Sequence, residues 1–183
     1  LYAESRKLTD LVEQMEQLKE WDEVEAKTFD EKSPVDMSSF MNEATGIFHW
    51  SLEQKGIELV VDVQPAIVPI NETSISQVIS NLLDNAINYH EGSGPITVQG
   101  ERIDKKYKVS VTGPGREISE EDRQKIFERF YRTEPSRSRK LGGSGLGLAI
   151  SKEIIERHGG HIGIQSEGKR HTFWFVLPSA SET

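Results

Sequence analysis

Residues 142–150 read GGSGLGLAI and are the most informative stretch of the sequence. Its four glycines within six residues let the backbone pass close to a ligand. The apolar residues Leu146, Leu148 and Ile150 then begin a helix. A glycine loop that leads into a helix N-terminus presents free N–H groups and the positive end of the helix dipole, which favours phosphate oxygens. The loop lacks the Lys and Ser/Thr of a P-loop, and no β-rich run precedes it as a dinucleotide fingerprint requires.

A second pattern lies upstream, where residues 74–89 have the periodicity of an amphipathic helix. Asn81, Asn85 and Asn88 form a stripe beside its apolar face, which consists of Ile75, Val78, Ile79, Leu82, Leu83 and Ala86. Asparagine is a mediocre helix former because its amide competes for backbone hydrogen bonds. The stripe therefore predicts amides directed into a pocket, while a polar helix edge with incidental asparagines is the alternative.

Two more segments stand out, KIFERFYR over 125–132 and HTFWFVLP over 171–178. Together with the asparagine helix and the glycine loop, they resemble the motifs of the catalytic, ATP-binding domain of bacterial sensor histidine kinases, in the same order. The resemblance extends to the superfamily shared with gyrase, mismatch-repair ATPases and a heat-shock chaperone. Residues 81–89 resemble the N box, 125–132 the F box, 143–148 the G2 box and 171–178 the closing strand. The similarity covers residues 33–178. The resemblance implies a Bergerat fold that binds ATP and Mg²⁺. It also implies that this domain is the catalytic part of a transferase in a two-component system.

The remaining patterns predict an α+β architecture. We expect a helix over 37–55, a strand over 56–63, and strands over 95–103 and 107–112 joined by a polar turn. Ser119 caps a further helix with Asp122 three residues on, and the helix over 148–157 precedes strands over 162–166 and 172–177. Elements in this order predict a two-layer α/β sandwich with helices on one face of a mixed sheet. Residues 33–183 would form this domain, after a separate segment over 1–32.

The resemblance also implies roles for individual residues. Asn85 would give an oxygen ligand to Mg²⁺, while Asn81 and Asn88 would contact phosphates directly or through water, although the family commonly has Lys at the place of Asn88. Backbone N–H groups of Gly145, Leu146 and Gly147 would cradle the triphosphate. Arg129, Arg132 and Lys140 would contact phosphate charge, Phe130 and Tyr131 would shape a lid over 130–144, and Thr172 would line the adenine side. The same resemblance includes Tyr89, Gly113, Gly115, Ile118, Gly143, Ser144 and Leu148 among the nucleotide-contacting residues.

Asn81 also discriminates between reaction types. Hydrolysing members of the superfamily place Glu four residues before the Mg²⁺-binding Asn, where it activates water. An amide cannot accept that proton at neutral pH. Asn81 and Asn85, taken together as the catalytic pair, therefore imply transfer of the phosphoryl group to a protein side chain and not hydrolysis.

The largest departure from the family lies in its G1 box, Asp-x-Gly-x-Gly, whose carboxylate receives the adenine amino group. Residues 109–118 read VSVTGPGREI, so Gly113 stands at the place of Asp in one alignment and Val111 in the other. Loss of a hydrogen bond to a charged group costs about 1.5–3 kcal/mol. Two readings remain: a histidine kinase with weakened ATP binding, or a nucleotide-impaired pseudokinase or engineered variant that acts through dimerisation and partner binding.

The first residues form a separate piece. Leu8, Leu11, Met15 and Leu18 recur at the 3-4-3 spacing of a coiled-coil seam. By resemblance, residues 1–25 match the second helix of a dimerising hairpin. This helix would pair with a second copy of the chain, and a response regulator would be the further partner, which receives the phosphoryl group. None of the five histidines has the context of the family's phosphoacceptor, and we expect each to be a surface or core-edge residue.

Composition sets further limits. The 183 residues carry a formal net charge of −8, which argues against nucleic-acid binding, although basic residues concentrate between Arg123 and Lys140 beside the glycine loop. The absence of cysteine excludes disulfides and thiolate metal sites. No apolar run reaches the roughly 18 residues of a membrane span. We expect the cytoplasmic portion of a membrane-anchored bacterial sensor, with no membrane contact of its own.

Overall fold

The computed structural model describes residues 31–131 and 147–179, together with Ser5, Leu8, Thr9, Val12, Glu13, Met15 and Glu16, which are helical. Several predicted residues lie outside the described part: Leu11, Leu18, Arg132, Lys140, Gly143, Ser144, Gly145 and Leu146. The predicted lid lies outside it as well, except for Phe130 and Tyr131.

The described residues between Ser33 and Pro178 form strands and helices that occur singly or in pairs along the chain. The strands are β1 (Ser33–Asp36), β2 (Leu59–Val63), β3 (Ile67–Ile70), β4 (Ile96–Ile103), β5 (Lys106–Pro114), β6 (His161–Glu167) and β7 (Arg170–Pro178). The helices are α1 (Met37–Gly46), α2 (His49–Lys55), α3 (Glu72–Asn88), α4 (Glu120–Lys125) and α5 (Gly147–Arg157). Five strands form one sheet in the order β2-β4-β5-β7-β6, parallel between β2 and β4 and antiparallel elsewhere, and β1 pairs with β3 separately.

The helical layer packs on one face of the five-stranded sheet. That face presents alternate apolar residues, among them Ile96, Val98, Val111, Phe173 and Phe175, and all of them are buried. Helices α1, α3 and α5 contact the sheet there. The predicted α+β two-layer sandwich is confirmed, since α1, α3 and α5 bury their apolar faces against the sheet.

One long helix predicted over residues 37–55 is wrong, because the chain breaks between α1 and α2. Gly46 weakens the helix at this point, and the Thr45 hydroxyl donates to the Met41 carbonyl oxygen at 2.8 Å, a back-bond that often bends helices. The break turns Phe48 into the core and leaves Ile47 71% exposed. The small β1–β3 sheet also escaped prediction, since its strands have four residues each and contain Pro34 and Pro69.

Helix α3 forms as its sequence predicts. The Asn71 carboxamide oxygen accepts from the Ser74 backbone N–H at 3.0 Å and caps the helix. Ile75, Val78, Ile79, Leu82 and Leu83 have no measurable exposure. Because this face is fully buried, the adjoining asparagine stripe is held at a fixed depth between core and surface.

His158 and His171 are buried, 4% and 6% exposed, so their predicted surface or core-edge position is wrong. The His158 Nδ1 lies 2.8 Å from the Ile154 carbonyl oxygen and must carry the proton. Its Nε2 then accepts from the Asn71 backbone N–H at 3.1 Å. The ring joins the end of α5 to the start of α3, and its hydrogen bonds to backbone permit its burial.

Acid should destabilise the fold through His158. Burial lowers the pKa of this histidine, and the charge of Lys32 lowers it further, against the hydrogen bond to Ile154 that raises it. The unfolded chain therefore binds more protons below about pH 6.5, and stability falls as pH drops through the folded-state pKa. Denaturant unfolding at several pH values should show this slope, reduced but not abolished in His158→Gln because burial also lowers the pKa of His171. An identical slope in His158→Gln and in the exposed-site control His161→Gln would contradict the assignment.

Candidate nucleotide-binding site

The asparagine stripe of α3 faces the beginning of α5. The Asn81 amide nitrogen donates to the Gly147 carbonyl oxygen at 3.0 Å and to the Ser151 hydroxyl at 3.1 Å. That hydroxyl donates to the same Gly147 carbonyl at 2.9 Å. Asn81 therefore fixes the first turn of α5, where the positive end of the helix dipole lies, beside the middle of α3.

Asn85 and Asn88 follow Asn81 along α3 and are half-buried. Within the described residues their side chains form no hydrogen bond, so the amide groups are available to a ligand there. The carboxamide oxygen of Asn85 suits Mg²⁺, which prefers oxygen ligands and keeps several from water and phosphates. The described residues contain no cluster of three or more His, Cys, Asp or Glu that could hold a metal ion.

The segment after β5 lies against the end of α3. The Gly115 N–H donates to the Lys169 carbonyl oxygen at 2.7 Å, and a Cβ at this position would lie 2.8 Å from the Tyr89 carbonyl oxygen. Only glycine permits this approach. The structure therefore brings together Tyr89 and Gly115, with Ile118 buried three residues further on.

Gly113 is buried in β5 and opposes His171 of β7. A Cβ built on Gly113 would lie 3.3 Å from Cγ1 of the buried Ile96, so position 113 faces the helical layer. No carboxylate is present at this point of the strand. That Gly113 borders a base site stays a prediction.

Thr172 does not lie on the predicted adenine side. Its hydroxyl lies 2.9 Å from that of Thr112, its partner on β5, and both point to the sheet face opposite the helices. Alternation along β7 turns His171 and Phe173 inward instead. A displacement of one residue moves a side chain to the other face, which explains the error.

Two residues of this region escaped prediction. Ser151 lies one turn after Gly147 on α5, a spacing that a helix wheel would have revealed. His171 lies two residues before Phe173, and the strand alternation assigns it to the inward face. Its Nε2 lies 2.5 Å from the Arg116 carbonyl oxygen and its Nδ1 2.7 Å from the Ser166 hydroxyl.

The end of the predicted F box makes a sharp turn. Phe130 has φ of 62°, which is uncommon for a bulky residue, and its side chain is 42% exposed. The Tyr131 hydroxyl donates to the Asp122 carboxylate of α4, so this ring is held against the helix. Arg129 is exposed. The turn presents Arg129 and Phe130 outward, while Tyr131 anchors it.

The fold is an α+β sandwich in which the asparagine stripe of α3 lies beside the start of α5. The sequence profile of the histidine kinase-, DNA gyrase B- and HSP90-like ATPases matches residues 70–181. The chain belongs to this family and, within it, is a catalytic ATP-binding domain of the histidine kinase type.

Known relatives agree with this assignment. The histidine-protein kinase BaeS of Escherichia coli strain K12 is 36% identical over 163 residues, which cover 88% of this chain and 34% of BaeS. The chain thus spans about a third of that relative. The catalytic domain of the histidine kinase ThkA superposes with a TM-score of 0.72 and 29% identity, over 82% of this chain and 99% of that one.

Two further structures are of longer kinases. Full-length ShkA in complex with AMPPNP has a TM-score of 0.81 and 25% identity, over 97% of this chain and 38% of that one. ThkA in complex with the response regulator protein TrrA has a TM-score of 0.75 and 25% identity, over 96% and 49%. Among the described residues of this chain, no helix is both long and apolar enough to span a membrane.

Proposed function

We propose that the chain binds Mg²⁺-ATP and passes the γ-phosphoryl group to a histidine on the first helix of the dimerising hairpin, and from there to a response regulator. The observation that carries this proposal is the contact from Asn81 to Gly147 and Ser151, which sets the asparagine stripe beside the start of α5. The AMPPNP complex of ShkA supports the nucleotide, and the ThkA–TrrA complex supports the partner.

The reaction follows from the chemistry of phosphoryl transfer, which needs alignment and charge neutralisation more than covalent help. Asn85 would hold Mg²⁺ through its carboxamide oxygen, and the ion would neutralise phosphate charge. The backbone N–H groups at the start of α5 would donate hydrogen bonds to phosphate oxygens. Asn81 cannot act as a general base, and its amide nitrogen is engaged with α5, so activation of water is disfavoured.

Dimerisation would take place through the N-terminal segment over 1–32, which is distinct from the domain over 33–183. Leu8 and Met15 are 63% and 67% exposed and form part of the predicted seam with Leu11 and Leu18. Apolar side chains at this spacing pack on another helix, and a second copy supplies one. The dimer would belong to a membrane-anchored sensor whose cytoplasmic part includes this chain.

A second candidate is a nucleotide-impaired module that acts through dimerisation and partner contacts alone. Gly113 favours it, because no carboxylate receives the adenine amino group at this position. The two candidates differ in one measurable property, which is saturable binding of Mg²⁺-ATP.

Incubation with labelled ATP and Mg²⁺ should leave the chain itself unlabelled. His158 and His171 are buried with both ring nitrogens near hydrogen-bond partners, and His90 Nε2 lies 2.9 Å from the Gly94 carbonyl oxygen. These nitrogens are engaged, and none of the five histidines, including the exposed His49 and His161, has the sequence context of the family's phosphoacceptor. Addition of a separate kinase hairpin with its acceptor histidine should yield acid-labile label on the hairpin.

The control is the same mixture with the hairpin histidine changed to Gln, which should take no label. Acid-labile label on a histidine of this chain would contradict the assignment. Free phosphate released faster than the hairpin is labelled would contradict transfer as the main reaction.

A further inference from the structure

The imidazole of His171 connects three parts of the chain that meet at the end of α3. It belongs to β7, and its two nitrogens contact Ser166 of β6 and the Arg116 backbone of the segment after β5. Its Cδ2 would lie 3.3 Å from a Cβ at Gly115. The ring therefore packs directly on the segment that contacts Tyr89.

The chemistry of its partners determines the proton on this ring. A carbonyl oxygen only accepts, so Nε2 donates to Arg116. Nδ1 then accepts from the Ser166 hydroxyl in the neutral ring. Burial lowers the pKa of His171, and the charge of Arg123 lowers it further, against the hydrogen bond to Arg116 that raises it. The neutral ring with a proton on Nε2 is thus the form present near pH 7.

The segment held by this ring is the boundary of the predicted base site. The Gly115 N–H donates to Lys169, Gly115 pairs with His90 in an isolated β-bridge, and the Arg116 guanidinium lies 2.7 Å from the Glu91 carboxylate. The Arg116–Glu91 pair is partly exposed and contributes little. The bond from His171 to Arg116 is part-buried, so it holds the backbone more firmly.

Gly113 leaves this boundary without a side chain of its own. His171 lies opposite Gly113 in the strand register and is on the same inward face. Where no carboxylate contacts the base, its fit depends on the position of the backbone from Gly113 to Ile118. A residue that fixes this backbone then controls affinity for the base without touching the phosphates.

We propose that His171 is a positioning residue for the base end of the nucleotide site, acting through its hydrogen bond to the Arg116 carbonyl. This inference rests on the proposed nucleotide binding. It predicts that loss of the Nε2 donor lowers the contribution of the base to ATP affinity. The contribution of the phosphates to that affinity should stay unchanged. This inference also predicts looser backbone at Gly115 and Arg116 before any nucleotide is added.

The test compares His171→Leu, which has similar bulk and no donor, with His171→Gln, whose amide restores both a donor and an acceptor. Titrations use Mg²⁺-ATP and, as a probe of the phosphate end alone, Mg²⁺-tripolyphosphate. His171→Leu should weaken ATP binding about tenfold and leave tripolyphosphate within about twofold, and His171→Gln should recover most of the loss. His161→Leu, the same substitution at the exposed start of β6, is the matched control and should change neither.

Hydrogen exchange of the Gly115 amide in the free protein provides a readout independent of nucleotide. It should be faster in His171→Leu than in the parent chain and close to the parent in His171→Gln. Equal weakening of both ligands, or no weakening of either, overturns the positioning role. If the parent chain binds neither ligand, the proposed function fails, and unchanged exchange at Gly115 in His171→Leu still overturns the inference by itself.

Discussion

Asn85→Ala is expected to weaken Mg²⁺-ATP binding about a hundredfold. Asn85 is half-buried, and its carboxamide oxygen has no hydrogen-bond partner within the described residues, so this oxygen is available to a hard cation. Its loss removes a protein ligand to the ion and costs about as much as a strong charge-assisted hydrogen bond, up to roughly 3 kcal/mol. Calorimetric titration with and without Mg²⁺ measures the effect.

The dependence on Mg²⁺ makes this prediction specific. Without the ion, the parent chain and Asn85→Ala should bind ATP equally and weakly, because the amide then has nothing to coordinate. Asn42→Ala, which removes an exposed helical asparagine on α1, is the matched control and should bind like the parent. If Asn85→Ala lowers ATP affinity equally with and without Mg²⁺, Asn85 is not a ligand of the metal ion.

Gly113→Asp is expected to tighten ATP binding about tenfold or more. The strand turns position 113 inward, toward the face where the adenine amino group is expected and where no carboxylate is present. A charge-assisted hydrogen bond to that donor accounts for the size of the gain. GTP presents a carbonyl at the same ring position, so its affinity should not improve.

Packing opposes part of this gain, since the new Cβ would lie 3.3 Å from Cγ1 of Ile96 and that side chain must shift by a few tenths of an ångström. Gly113→Ala isolates this cost and is the matched control. It should bind ATP no more tightly than the parent chain. Equal improvement for ATP and GTP, or none for either, would mean that position 113 does not face the base.

The elements with strong local periodicity could be predicted from the sequence, and those set by tertiary contacts could not. Helix α3 shows its buried face directly in the spacing of Ile75, Val78 and Leu82, and the asparagine stripe follows from it. The break between helices α1 and α2 at Ile47 depends on whether Phe48 packs into the core. No local sequence pattern predicts that packing. The short strands β1 and β3 have too few residues for alternation to show.

For the candidate site, the sequence predicted the segments but not the sheet face that each side chain of β7 occupies. The motif over 171–178 located the strand correctly, but the choice of Thr172 over His171 needed the register against β5. His158 shows the same limit from another side. A glycine-rich turn predicted exposure, whereas two hydrogen bonds to distant and local backbone hold the ring in the interior.

Calorimetric titration of Mg²⁺-ATP into the unmodified chain measures directly whether the domain binds a nucleotide. We predict saturable binding of one nucleotide per chain that requires Mg²⁺ and is weaker than that of Gly113→Asp. Absence of saturable binding both in the unmodified chain and in Gly113→Asp would contradict a nucleotide site between α3 and the start of α5.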